Sequence, residues 1–301
     1  MLSRVAESLY WIGRYVERAE GTARIIDVHL QRVRVDPWTD EDRACRSLLA
    51  VMGMPGRDDP VTSADVVAVL GLDERSTASV AGALAAAREN ARGIPEALSA
   101  EMRECLTVTR HDLADAFFRS VRERCAVMAG LTEATMSRDE GWRFLVLGRS
   151  VERVDMTARL LRTHEKMGGI VPSWLTLLRS CGAWETFQRT YRGSLDDRHA
   201  AEFLLLDRLF PRSVFAALGA AEACLSDLEP DPGRSGVATD AQRLLGRART
   251  NLEFRGADEL IDDLAPVLAD LERTCSQVDE AVSRRYFPRT AAVTWMSEVV
   301  A

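Results

Sequence analysis

A block of charged residues occurs twice in this chain, and that return limits the folds open to it more than any other feature. Displaced by 135 positions, residues 9–29 lie on residues 144–164. Gly13, Arg14, Val16, Glu17, Arg18, Thr22, Ala23, Arg24 and His29 meet Gly148, Arg149, Val151, Glu152, Arg153, Thr157, Ala158, Arg159 and His164, with Glu20 opposite Asp155. At an offset of 134, Asp73, Ser79, Val80, Ala83, Leu84 and Ala87 meet Asp207, Ser213, Val214, Ala217, Leu218 and Ala221. Matched alanines mean little in so alanine-rich a chain; matched charges mean more. Two segments agreeing on nearly one offset point to duplication of a unit of about 135 residues. Such copies would pack about a pseudo-twofold axis, each presenting the same surface to the other.

Both copies open with a helix. Leu9, Ile12, Val16, Ala19, Ala23, Ile26 and Leu30 alternate spacings of three and four, which places one apolar stripe on a helix over about 3–34 with Pro37 beyond its end. Phe144, Leu147, Val151, Val154, Ala158 and Leu161 give the second, which Ser137 and Glu140 would start as a capping box and Gly168-Gly169 would end. Further helices are expected near 40–53, 63–70, from Ser76 with a kink at Gly93 and Pro95, over 111–129, and near 173–191, 195–209, 212–228, 238–253 and 257–286. The plain loop of the second half is Glu229-Pro230-Asp231-Pro232-Gly233. No segment alternates like a half-buried strand for long. The expectation is one all-α helical-bundle domain over 1–301, built from pseudo-repeated halves of about 1–135 and 136–287, with a short tail at 288–301.

Charge narrows the partners. The formal net charge is −7, whereas a nucleic-acid surface needs excess basic residues to meet phosphates. Lys166 is the single lysine among 39 basic residues, so the rest are arginines, a bias that makes any one of them weak evidence for anion recognition. Six scattered cysteines without a C-x-x-C pair read as reduced core residues of a cytoplasmic protein. The opening lacks the apolar core of a signal peptide, and no apolar run is long enough to span a membrane. Enzyme signatures are sparse. The chain has no phosphate loop or dinucleotide fingerprint, no nucleophile elbow beside His29, His111, His164 or His199, and only one Asp-x-x-His, Asp196 to His199, where a di-metal bundle needs two Glu-x-x-His pairs. No metal or cofactor is expected. Trp174, Trp184, Phe187 and Tyr191 on one expected helix read as core or as a docking patch.

The repeated polar residues remain. Gly13, Glu17, Glu20 and Arg24 form one stripe of the first helix, and Arg14, Arg18, Thr22 and His29 another, away from the apolar stripe. Gly148, Glu152, Asp155 and Arg159, with Arg149, Arg153, Thr157 and His164, do the same on the second. An exposed i,i+4 pair such as Glu20–Arg24 is worth only about 0.3–0.5 kcal/mol, too little to explain why both copies carry it. Two explanations stay open. The glycines let helices approach while Glu17 and Glu152 accept arginine forks from a neighbouring helix, for instance from Arg88 or Arg92, and simply lock the halves. Alternatively, the two Glu-Arg pairs line a polar cleft for an anionic or peptide-like ligand, where the paired carboxylates could also act as acid and base.

The opening, Leu2-Ser3-Arg4-Val5-Ala6-Glu7-Ser8-Leu9-Tyr10-Trp11-Ile12-Gly13-Arg14-Tyr15-Val16-Glu17-Arg18-Ala19-Glu20, resembles that of the bacterial Alpha-E family, a helical domain named for its Glu-Arg motif. Ala87-Arg88-Glu89-Asn90-Ala91-Arg92, Phe203 to Asp207 with Pro211-Arg212-Ser213-Val214, and Arg285-Tyr286-Phe287 also resemble its blocks, although Leu206 to Pro211 lacks the Asn expected before the proline. The resemblance covers essentially the whole chain. It implies an accessory or binding module of a peptide- or amide-bond-forming pathway. The implied partners are a circularly permuted ATP-grasp ligase and a transglutaminase-like protease, with a peptide as a further candidate ligand. Glu17, Arg18, Glu152 and Arg153 carry the motif and would organise the site, supported by Arg14, Arg149, Arg24 and Arg159. A catalytic component and a purely structural subunit are the competing readings.

Overall fold

The computed structural model describes residues 1–36, 40–56, 58–106, 114–166, 173–192, 195–230, 234, 236–237 and 239–288. Its first helix, α1 (Ser3–Val35), is about 50 Å long at 1.5 Å per residue. The expected stripe is buried except for the half-buried Val16, but burial does not stop at the stripe: Arg14, Glu17, Glu20, Thr22, Asp27 and His29 are buried as well. A surface helix buries one face. This one is enclosed, packing on α4 (Val80–Arg92), α6 (Ala114–Thr135), α7 (Glu140–Lys166) and the short α8 (Trp174–Ser180). The stripe of Arg14, Thr22 and His29 therefore does not point away from the core, as the periodicity suggested.

Helix α7 is placed in the same way. It packs on α1, on α11 (Val214–Leu228), on α14 (Leu264–Tyr286) and on the short α2 (Glu41–Val51). The α1–α7 contact is the most extensive in the molecule. It is close because glycines meet there. A Cβ on Gly13 would lie 2.1 Å from the Leu145 carbonyl oxygen, and one on Gly148 would lie 2.0 Å from that of Tyr10. Each glycine faces the backbone three residues before the other.

Local signals account for most of the remaining elements, α3 (Ser63–Val66), α5 (Ala100–Cys105), α9 (Trp184–Tyr191), α10 (Asp197–Leu206), α12 (Asp240–Glu253) and α13 (Ala257–Asp262). Ser79 Oγ accepts the Gly82 N–H at 2.9 Å to start α4 and donates to the Asp73 carbonyl at 2.5 Å. Ser213 caps α11 through the Ala216 N–H at 3.1 Å and donates to the Asp207 carbonyl, so the 134-residue offset joins equivalent capping turns. The described residues contain fourteen α-helices, with one π-helical turn after α3 and one 3₁₀ turn after α4, and no strand.

Several boundaries differ from expectation. Asp139, whose carboxylate accepts the Gly141 and Trp142 N–H groups, starts α7 in place of Ser137. Ser79, not Ser76, starts α4, which ends at Arg92 rather than kinking. The segment expected as one helix over 173–191 breaks at Gly182, whose φ of 63° places it in the left-handed region that glycine adopts freely. The one expected over 257–286 breaks at Asp263. The aromatic residues around the first break are packed: Trp174 and Phe187 are buried, and Phe187 stacks on Tyr191 and meets Phe203 edge-on. All six cysteines are free and buried. Pro37, His111, Gly168-Gly169, Asp231-Pro232-Gly233 and 289–301 lie outside the described residues.

Candidate functional site: paired ion clusters at the helix crossing

The crossing brings the two Glu-Arg pairs together in exchange. Glu17 on α1 accepts a two-pronged fork from Arg153 on α7, Nε to Oε1 at 2.9 Å and Nη2 to Oε2 at 2.7 Å. Glu152 on α7 accepts the matching fork from Arg18 on α1, Nε to Oε1 at 2.6 Å and Nη2 to Oε2 at 2.9 Å. Each helix gives its glutamate to the other's arginine. Two parallel N–H···O bonds between a planar guanidinium and a carboxylate fix orientation as well as distance.

The clusters diverge around this shared centre. Glu152 is 1% exposed and is also held by Arg14, whose Nε donates to Oε2 at 2.5 Å. Arg14 donates through Nη1 to both oxygens of Asp279 on α14, and Tyr10 donates its hydroxyl to the same carboxylate. Two glutamate and aspartate carboxylates, two arginines and a tyrosine thus close over one another. Glu17 takes its third bond from Arg212, which stands just before α11 and reaches it at 2.9 Å through Nη1 while Nη2 pairs with Glu20. Arg24 also pairs with Glu20. Arg149, which the 135-residue offset sets against Arg14, turns elsewhere and donates to Glu133 on α6 at 2.9 Å.

Beside Glu17 lies a cavity of about 290 Å³ between α1, α6 and α7. Glu17, Glu20, Arg24, Arg149, Arg153 and Arg212 make its polar wall, and Ile12, Val16, Met128 and Leu145 are prominent in its apolar one. Ala126 is exposed at its edge. No part of the Glu152 cluster lines it.

Burial works to raise the pKa of Glu17, but the Arg153 and Arg212 guanidiniums outweigh it and bring the carboxyl down to about 2. Glu152 is likewise lowered: burial opposes ionisation, and Arg14 and Arg18 overcome it. Both are ionised at neutral pH. Burial lifts the thiol of Cys125, in the cavity wall, well above its ordinary value, so it stays protonated. His29 lies 3.4 Å from Cys45 Sγ, and burial brings it down to about 4.

The other residues marked by sequence fall in different places. Arg159 pairs with Asp155 at 2.9 Å, away from the cavity. Arg88 and Arg92, suggested as fork donors from a neighbouring helix, do not serve that role. Arg92 is exposed and pairs with Glu89 on its own helix, and neither it nor Arg88 bonds Glu17 or Glu152, whose forks come from α1, α7 and Arg212. Arg212, Asp279, Tyr10 and Glu133 were not singled out as site residues. Arg212 and Tyr10 sit inside the motif blocks; nothing local marks Asp279 or Glu133. Among the described residues no three His, Cys, Asp or Glu side chains are grouped so as to hold a metal ion, and no helix is long and apolar enough to cross a membrane.

A family model described as a predicted alpha-helical domain with a conserved ER motif matches residues 1–287. The chain belongs to the Alpha-E family. An uncharacterised protein of Mycobacterium bovis is 25% identical over 328 aligned positions, covering 93% of this chain and 36% of the relative. An uncharacterised protein of Mycobacterium tuberculosis matches with the same identity and coverage. The chain therefore spans little more than a third of the length of these curated relatives. No solved structure matches it at a significant level.

Proposed function

We propose that this Alpha-E protein is a non-catalytic binding module of a peptide- or amide-bond-forming pathway. Its partners there would be an ATP-grasp ligase and a transglutaminase-like protease, the company that the Alpha-E resemblance implies. The observation that carries the binding half of this reading is the cavity beside Glu17, an arginine-rich recess with one apolar wall. The observation against catalysis is electrostatic. A general acid or base works best with a pKa near the operating pH, and the Glu17 carboxyl sits far below that range. Glu17 and Glu152 act here as fixed anions that hold arginines in place. In this reading the protein is cytoplasmic, and its halves descend from one duplicated unit.

The test is capture. The full chain, tagged and produced together with an ATP-grasp ligase encoded beside it, is expected to elute with that ligase through size exclusion. Separate elution at micromolar concentrations, with both proteins folded, would overturn the partnership. Retention of pathway activity when Glu17→Gln and Glu152→Gln fold normally would support the non-catalytic reading, and its loss with capture of the ligase intact would favour a catalytic one.

A further inference from the structure

Arg14 and Arg149 occupy matching places in the two copies, and they differ at Nε. Arg14 Nε meets Glu152 while its Nη1 meets Asp279. Arg149 donates Nη2 to Glu133, but its Nε is buried with no hydrogen-bond partner. Arg24, further along the cavity wall, has one bond to Glu20 and a buried Nε without a partner that packs beside Gly182. A buried guanidinium N–H left without an acceptor is costly. Both arginines line the cavity.

Charge points the same way. Four guanidiniums line the space (Arg24, Arg149, Arg153 and Arg212), and the carboxylates bonded to them are Glu17, Glu20 and Glu133. Glu133 is further shared with Arg138. Cations exceed anions around the recess, and the chemistry that offsets this is a single carboxylate, as Glu152 provides at the Arg14 Nε. Ile12, Val16, Met128 and Leu145 offer the rest of the ligand an apolar surface.

We propose that the cavity binds a carboxylate carried on a small apolar body, with the carboxylate at Arg149 and the body against Ile12, Val16, Met128 and Leu145. This rests on the binding-module reading and names the class of ligand. Two sources share the chemistry: a free branched short-chain acid and the C-terminus of a peptide ending in an apolar residue. In the Glu152 cluster the Arg14 Nε has a carboxylate acceptor and in the recess the matching Arg149 Nε has none, so the guest supplies the acceptor that Glu152 supplies to Arg14.

Isothermal titration of the full chain at low ionic strength tests it with three probes: 4-methylpentanoate, N-acetyl-leucine and N-acetyl-leucinamide. One or both acids are expected to bind and the uncharged amide to fail. The tighter acid identifies the source. Arg149→Gln is expected to weaken binding by about tenfold or more, the loss of one charge-assisted contact. Ala126→Trp, at the exposed edge of the cavity, is expected to block entry while leaving helical circular dichroism and thermal unfolding unchanged. Binding of the amide as tightly as the acids would overturn the inference. So would displacement of the acids by equimolar sulfate, or indifference of a folded Arg149→Gln protein to the substitution. If neither acid binds while the ligase is still captured, the ligand class falls and the module reading stands. Failure of both removes the two together.

Discussion

The sealed cluster around Glu152 and the open cluster around Glu17 are built from the same residue types at matching places, yet they face different surroundings. In the first, Arg14 turns inward, and α14 supplies Asp279 to cap it. In the second, Arg149 turns outward to Glu133 on α6, Arg212 comes in from the start of α11, and a cavity of about 290 Å³ remains. The lesson is about division of labour between equivalent sites. One copy of a charged motif can be used for locking, where unpaired buried charge would be ruinous. The other can then carry a recess, because the first holds the crossing together.

The difference can be broken at its base. Gly148→Ala and Gly13→Ala should have the largest effect, since each added methyl group would fall about 2 Å from a carbonyl oxygen of the facing helix. Helix propensity favours alanine over glycine by about 1 kcal/mol, which cannot offset separating two packed helices; a net loss of more than about 3 kcal/mol is expected in urea unfolding. A neutral or stabilising result would mean that the helices do not approach so closely.

Next in size is the contrast between the two glutamates. Glu152→Gln leaves Arg14 and Arg18 facing a neutral amide in a closed site, and a loss of about 3–5 kcal/mol is expected. Glu17→Gln removes the partner of arginines that border the cavity, where water can solvate them, and about 1–2 kcal/mol is expected. Chemical denaturation of the two proteins side by side would sharpen the comparison.

Acid should then expose the clusters gradually. Folding holds the Glu17 carboxyl at about 2 against an ordinary 4.5, so its stabilisation is complete above about 4.5 and is lost as pH falls toward 2. Glu152 is shifted in the same direction and adds to the slope. His29 contributes in a higher window. Held at about 4 against 6.5, it refuses a proton that the unfolded chain accepts, so stability already declines between those values. His29→Gln is expected to flatten the upper part of the stability–pH curve and Glu17→Gln the lower part. The smallest effect is expected at Arg149→Gln, whose one bond is to the largely exposed Glu133; unfolding should shift by less than about 0.5 kcal/mol.

Sequence reading went furthest where the determinants are local or repeated. The apolar spacing marked α1 and α7, and the serine caps of α4 and α11 sit on the 134-residue offset. The charged matches marked the residues that exchange forks, but not with whom. Glu17 and Glu152 take their forks from each other's helix and from Arg212 rather than from Arg88 or Arg92, because α4 presents small residues to α1 and leaves Arg92 in solvent. Arg212 and Asp279 lie far along the chain from the glutamate and arginine that they hold, and no periodicity connects such partners. The break at Gly182 escaped because a glycine within an aromatic run reads as a tolerated helix interior. There the Arg24 guanidinium lies about 3 Å from where a side chain would begin, so packing as well as backbone favours glycine.

The central claim is that the exchanged forks are alike in geometry and unlike in enclosure. Paired double-mutant cycles measure this most directly, one on Glu152 and Arg18, the other on Glu17 and Arg153, each with Gln and Met replacing the charged residues. A coupling of about 2 kcal/mol or more is expected for the first pair and about 1 kcal/mol or less for the second. Equal couplings, or a larger one at Glu17, would contradict the division between a sealed cluster and an open one.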